Sequence, residues 1–89
     1  MKLSNMYSNN GNQVPNQFII DNGNKTSFQS YKTIVAVKEN GKVTLDSNAL
    51  EYSNTTLKYL KQFLNTSDSK KQLRAKIKSG FYQVEDLNN

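Results

Sequence analysis

The chain has 89 residues, a net charge of +5, a hydrophobic fraction of 35%, and neither cysteine nor histidine. The lack of cysteine excludes a disulfide and a thiolate metal site, and the lack of histidine removes the commonest general base and metal ligand. A domain of this size buries only about 60% of its unfolded surface, so forming a homo-oligomer or docking on a partner would add burial.

The first ten residues, MKLSNMYSNN, contain no apolar core of the kind found in a signal peptide. No run of the sequence approaches the ~20 apolar residues of a membrane span. We therefore expect a cytoplasmic protein without a membrane partner.

Residues 1–16 are mostly Ser, Asn, Gln and Gly and have no hydrophobic period. Such a segment buries little surface, which is typical of a flexible terminus. The sequence predicts a flexible N-terminal arm over residues 1–16 and a single domain over residues 17–89.

Alternation and β-branched runs predict four strands in the first half of the domain. The segments are Gln17–Asp21, Thr26–Tyr31, Lys32–Lys38 and Lys42–Asp46. Asn-Gly pairs accept positive φ and mark tight turns after the first and third segments. The second and third segments are either two strands or one bent strand. The pattern predicts an antiparallel sheet of three to four strands with one buried face.

The second half of the chain predicts two helices that cover this face. Ser53, Asn54 or Thr55 can cap the first helix, and its apolar residues recur at helical spacing: Leu57, Leu60 and Leu64, with Phe63 beside them. Tyr59 and Phe63 form an i,i+4 aromatic pair, for which core packing is favoured over stacking on a nucleobase.

A second helix is predicted to begin at Asp68 or Ser69, to end at Ser79 and to be followed by Gly80. Tyr82 and Val84 can form a closing edge strand. The predicted class is therefore α+β, with a small antiparallel sheet and two C-terminal helices packed on one face.

No catalytic motif is present: the chain has no phosphate-binding glycine loop and no nucleophile elbow. Most of its seven carboxylates occur at turns or helix caps, where acidic residues serve structure. We expect a protein that is not an enzyme and that uses neither a cofactor nor a metal.

A set of basic residues is the one chemical pattern above background. Lys70, Arg74 and Lys78 recur every four residues with Lys71 beside them, and two lysines of the first helix widen the patch, Lys58 and Lys61. One interpretation is a surface that follows a phosphate backbone, with salt-sensitive and weakly sequence-specific binding. The other is a solvated face or a docking face for an acidic protein.

Three blocks of the sequence carry a resemblance to a known family. They are the strand–turn–strand block SYKTIVAVKENGKVTLD, the block Tyr52–Tyr59 with the pattern YSxTTxKY, and the closing segment Lys78–Tyr82 followed by Asp86–Asn88. Over residues 18–88 the chain is similar to a family of small proteins of bacteriophages, plasmids and related mobile elements. Leu60 stands where the family usually has arginine.

The resemblance implies a mobile-element protein in a bacterial host and carries no activity with it. In that setting a small protein without catalytic residues acts by binding. One hypothesis is a phage or plasmid accessory protein that binds nucleic acid or a nucleoprotein through the basic helix face. The alternative is a protein that inhibits a host defence system, such as an anti-CRISPR protein.

Overall fold

The computed structural model describes residues 1–88 and has an α+β fold. One six-stranded mixed sheet runs in the order β1-β2-β3-β4-β5-β6, and two helices lie between β5 and β6 in the chain. The strands are β1 (Lys2–Tyr7), β2 (Gln13–Asp21), β3 (Lys25–Ser30), β4 (Thr33–Glu39), β5 (Lys42–Asp46) and β6 (Gln83–Glu85); the helices are α1 (Asn54–Leu64) and α2 (Lys70–Lys78).

The predicted sheet of three to four antiparallel strands is wrong, although the α+β class fits. Strands β1 to β5 pair antiparallel, whereas β6 pairs parallel with β5 and makes the sheet mixed. The two added strands lie at the two edges of the sheet. Strand β6 contains Val84 of the closing edge strand that the sequence offered, whereas β1 has few apolar residues and carries little of the alternation on which the prediction depended.

The segment predicted as a flexible arm contains β1 and the first part of β2. Leu3 pairs with Ile20 and Asn5 with Phe18 across the two strands. Met6 is only 5% exposed and belongs to the hydrophobic core. Backbone pairing with β2 and this one apolar anchor hold a strand whose other residues are mostly polar.

The turn between β4 and β5 confirms the hairpin predicted from Asn40-Gly41. Glu39 and Lys42 are paired across it, and both central residues have positive φ, 54° and 77°. This is the two-residue type I′ geometry, whose twist matches that of the strands it joins.

The core lies between one face of the sheet and the two helices. Phe28, Leu45, Leu60 and Leu73 are its fully buried large apolar side chains, together with Val35. The Phe28 and Phe63 rings are 5.9 Å apart. Tyr59 and Phe63 are both buried in this core, which confirms the packing role predicted for the pair.

Side-chain caps fix where the helices begin, as the sequence indicated. Ser53 Oγ accepts a hydrogen bond of 3.1 Å from the Thr56 N–H. Ser69 and Gln72 form a reciprocal capping box at the start of α2. Each cap satisfies N–H groups that have no partner within the helix.

Neither helix among the described residues is long and apolar enough to cross a membrane.

Asp46, the last residue of β5, is a buried carboxylate, 3% exposed, that joins three parts of the chain. It accepts a hydrogen bond from the Tyr52 hydroxyl and one of 3.2 Å from the Asn48 N–H, both in the connection to α1. It also accepts bonds from the C-terminal segment, 3.0 Å from the Leu87 N–H and 3.2 Å from Asn88 Nδ2.

The same C-terminal segment reaches β4. The Asn88 side-chain amide accepts a 2.8 Å hydrogen bond from the Ile34 N–H and donates one of 3.0 Å to the Ile34 carbonyl. Because β5 ends at Asp46, this amide takes the place that a further β5 residue would occupy. Asp46 thus positions the group that completes the ladder beside β4.

Burial alone would raise the pKa of Asp46, but the hydrogen bonds from Tyr52, Leu87, Asn48 and Asn88 outweigh it and hold that pKa below its ordinary value. A depressed carboxylate pKa stabilises the fold above the unfolded-state pKa. That stabilisation is lost as the pH falls through the folded-state pKa.

The role of β1 can be tested with two substitutions in the same strand. Met6→Ala should lower the free energy of unfolding by about 2–5 kcal/mol, because it removes a buried side chain from the core. Leu3→Ala is the matched control, since Leu3 is 62% exposed, and it should leave stability nearly unchanged. Urea unfolding measures both, and two indistinguishable curves would mean that β1 is not part of the folded core.

The Asp46 network can be tested by acid unfolding. Wild type should lose stability as the pH falls below about 4, where an ordinary aspartate protonates. Asp46→Asn should be less stable at pH 7 and lose less on acidification, because it lacks the group whose protonation is linked to unfolding. The control is Asp21→Asn, which changes an exposed carboxylate. Parallel stability–pH curves for Asp46→Asn and wild type would contradict this role.

Candidate nucleic-acid interface

The exposed side of α2 carries three of the six predicted basic residues. Lys71, Arg74 and Lys78 are all exposed, at spacings of three and four residues that place them on one side of the helix. Leu73, between them in sequence, is buried in the core and fixes which side faces the sheet. Lys70 is half-buried at the start of the helix.

Glu51, in the connection before α1, pairs with two of these residues. Its Oε1 lies 2.7 Å from Arg74 Nη2, and its Oε2 lies 3.6 Å from Lys70 Nζ. The hydrogen bond from Arg74, followed by the charge of Lys70, holds the pKa of Glu51 below its ordinary value. Exposed pairs of this kind add little stability, so their main effect is to orient Arg74 and offset one positive charge.

The other two basic residues of α2's exposed side differ from Arg74 in their surroundings. Lys71 and Lys78 form no ion pair with any carboxylate among residues 1–88. With Arg74 they make a three-cation surface, which we call the α2 basic face.

The two lysines of α1 have other neighbours. Lys58 Nζ lies 5.4 Å from the centre of the Tyr59 ring, and the charge of Lys61 contributes to the lowered pKa of Asp68, after the hydrogen bond from Lys76. The structure therefore brings Lys70 and Arg74 together on one carboxylate, and Lys58 and Lys61 are not part of that cluster.

Two basic residues outside the predicted set have structural roles. Lys76 pairs with Asp68 and lies 5.2 Å from the Phe81 ring centre, which joins the two ends of the α2 segment. Lys38 donates to the Phe63 carbonyl near the end of α1, and its Nζ lies 4.4 Å from the Phe63 ring centre. Burial lowers the pKa of Lys38.

A pocket of about 230 Å³ lies between the β3–β4 turn and the beginning of α1, and sequence reasoning missed it. Its lining consists of two tyrosines and four hydroxyl residues: Tyr31, Tyr52, Ser30, Thr33, Ser53 and Thr56. Three of the six belong to the block Tyr52–Tyr59, and of these three the sequence predicted only Ser53 to have a role, as a possible helix cap. We call this cavity the tyrosine pocket.

An apolar groove of about 240 Å³ lies near the edge of the sheet that β1 forms. It is lined by Met1, Leu3, Phe18, Ile20 and Gln29. Because side chains alternate across a strand, these β1 and β2 residues lie on the face opposite the helices. Sequence reasoning missed this groove because it treated residues 1–16 as an arm.

Comparisons with known proteins identify a family without assigning an activity. No curated protein and no solved structure matches the chain. A family model described as a family of unknown function, DUF8033, matches residues 1–80, which span β1 to the end of α2. The chain therefore belongs to this family of unknown function.

Proposed function

We propose that this protein acts by binding nucleic acid, and that the α2 basic face contacts the phosphates. The observation that carries the proposal is the exposed set Lys71, Arg74 and Lys78 on one side of a capped helix. Charge neutralisation of phosphates releases counterions, which is the main source of sequence-independent affinity for nucleic acid.

The chemistry of these side chains favours contact with the backbone over contact with base edges. Arg74 is the single arginine among the 12 basic residues. Lysine is a hydrated point charge without the planar fork that reads guanine, so it supports affinity more than sequence recognition. Arg74 is also held by Glu51 at 2.7 Å. The proposed binding is therefore weak, salt-sensitive and largely independent of sequence.

The proposed setting is a phage, a plasmid or a related mobile element in a bacterial cell. It is supported by the resemblance of the blocks around Tyr31–Asp46 and Tyr52–Tyr59 to such proteins. In that setting the protein serves as a non-catalytic accessory factor on nucleic acid or on a nucleoprotein.

The proposal can be tested by fluorescence anisotropy of a labelled duplex over a series of salt concentrations. Replacing Lys71, Arg74 and Lys78 with Gln should reduce the slope of log K against log salt by about three, because each duplex phosphate contact contributes about 0.9. All three side chains are exposed, so the fold should be retained, as circular dichroism would show.

A charge-matched variant controls for net charge. Replacing the exposed residues Lys2, Lys25 and Lys42 with Gln lowers the net charge by the same three units but leaves α2 unchanged. Its slope should stay close to that of wild type. Equal slopes for both triple variants would assign the affinity to net charge, and no binding at 50 mM salt would reject the proposed function.

A second candidate function is inhibition of a host defence protein by direct contact. The apolar groove around Leu3 and Ile20 favours it, because Met1 and Leu3 are exposed and exposed apolar patches mark protein interfaces. Leu3→Glu separates the two candidates: it should leave duplex binding unchanged if nucleic acid is the partner.

A further inference from the structure

Tyr31 has a backbone conformation that does not suit tyrosine. Its φ is 56°, in the left-handed region that side chains with a Cβ rarely adopt. Every other residue with positive φ between positions 1 and 88 is asparagine or glycine, the types that accept this region at low cost. Position 31 is therefore the one described position with positive φ that is occupied by neither asparagine nor glycine.

The surrounding structure enforces this conformation. Ser30 and Thr33 are paired, so Tyr31 is the first residue of a two-residue turn between β3 and β4. The Tyr31 N–H donates a 2.7 Å hydrogen bond to the Asn16 carbonyl, and its own carbonyl accepts one of 2.7 Å from Gln29 Nε2. These contacts use only backbone atoms of Tyr31, so they do not require its ring.

The Tyr31 ring does not serve the core either, because the residue is 60% exposed. Backbone strain that persists without a packing role clusters at binding sites. Tyr31 lines the tyrosine pocket, where contact between its ring and a bound molecule would explain a tyrosine at this position.

Tyr52 is the second tyrosine of the pocket, and a hydrogen bond to Asp46 fixes its position. Its hydroxyl donates to the buried Asp46 carboxylate, while the residue remains 39% exposed. Burial and this hydrogen bond raise the pKa of Tyr52 to about 12, so the hydroxyl stays protonated and bonded at neutral pH. A ring that is already held loses little entropy when a ligand packs on it.

Hydroxyl groups form the base of the pocket, where Ser30 and Thr56 are buried. Ser53 Oγ donates to Thr56 Oγ1 at 3.0 Å, and Thr56 Oγ1 shares a second 3.0 Å hydrogen bond with Ser30 Oγ. These two bonds use two of the three hydroxyl protons of Ser30, Ser53 and Thr56. One O–H group of these three residues is left to donate to a ligand, and their oxygen lone pairs can accept.

From this geometry we infer that the tyrosine pocket binds one unpaired nucleobase of a single-stranded nucleic acid. The inference rests on the proposed function and adds the type of nucleic acid and a contact to a base. The pocket offers two exposed rings and neutral hydroxyls, and no charged side chain lines it among residues 1–88. That chemistry suits a flat, uncharged group with hydrogen-bonding edges.

The flanking charges fit the sugar–phosphate chain attached to such a base. Lys32, the residue after Tyr31, is exposed. The first turn of α1 begins at Ser53 on the rim of the pocket, and helix N-termini favour anions. Stacking on an aromatic ring contributes sequence-tolerant affinity for single strands, which agrees with the lack of a base-reading arginine fork.

Tyr31→Asn separates a binding role from a structural one. Asparagine already occupies positive φ at positions 16, 40 and 65, so this variant should be as stable as wild type or more stable. Its affinity for a labelled thymidine 12-mer at 50 mM salt should nevertheless fall about tenfold, the loss of one stacked base. Tyr31→Phe keeps the ring and should bind like wild type.

Two further oligonucleotides separate this inference from the proposed function. An abasic 12-mer carries the same phosphates without bases, and wild type should bind it about tenfold more weakly than the thymidine 12-mer, whereas Tyr31→Asn should bind both alike. A duplex of the same length should bind wild type and Tyr31→Asn equally, because its bases are paired.

The outcomes are distinct. Duplex binding with no preference for the thymidine 12-mer over the abasic strand would overturn the pocket inference and leave the proposed function intact. No binding to any oligonucleotide would overturn both. Chemical-shift changes at the Thr56 amide with N-acetyl-tryptophanamide but not with thymidine would assign the pocket to an aromatic side chain of a protein partner, and so also overturn the inference.

Discussion

The buried carboxylate of Asp46 is the constraint on which the rest of the structure depends. A charged group at 3% exposure is tolerated only when hydrogen bonds replace its water, and here they come from two separate segments. Tyr52 and Asn48 belong to the connection between β5 and α1, whereas Leu87 belongs to the C-terminal segment. The Asp46 side chain therefore fixes the end of β5, the path of the chain into α1 and the position of the last described residues of the chain.

This arrangement links the fold to both candidate surfaces. Asp46 holds Tyr52, whose neighbour Ser53 caps α1 and joins the hydroxyl chain at the base of the tyrosine pocket. The same connection carries Glu51, which orients Arg74 on the α2 basic face. The proposed phosphate contact at α2 and the proposed base contact at the pocket would therefore both depend on residues 46–53, and a change in that connection should affect both.

Local signals made part of the fold predictable, and contacts distant in sequence decided the rest. The Asn40-Gly41 turn and the Ser53 and Ser69 caps are chemical requirements of a few neighbouring residues, so the sequence alone indicated them. Strand β1 was missed because pairing with β2 and the single anchor Met6 hold it, and neither produces a hydrophobic period. The ion pair of Arg74 with Glu51 spans 23 residues, which no spacing rule reveals. Tyr31 gave no signal because its strain exists only in the folded backbone.

The claim that Asp46 organises the C-terminal segment is most directly tested by amide hydrogen exchange, measured by NMR at pH 7 in wild type and Asp46→Asn. The Leu87 N–H is bonded to Asp46 itself, but the Ile34 N–H is bonded to Asn88. If Asp46 positions Asn88, both amides should exchange faster in the variant, while the Ala36 amide in the middle of β4 should not. Unchanged protection of Ile34 in Asp46→Asn would contradict the account, because the C-terminal segment would then hold its place without the carboxylate.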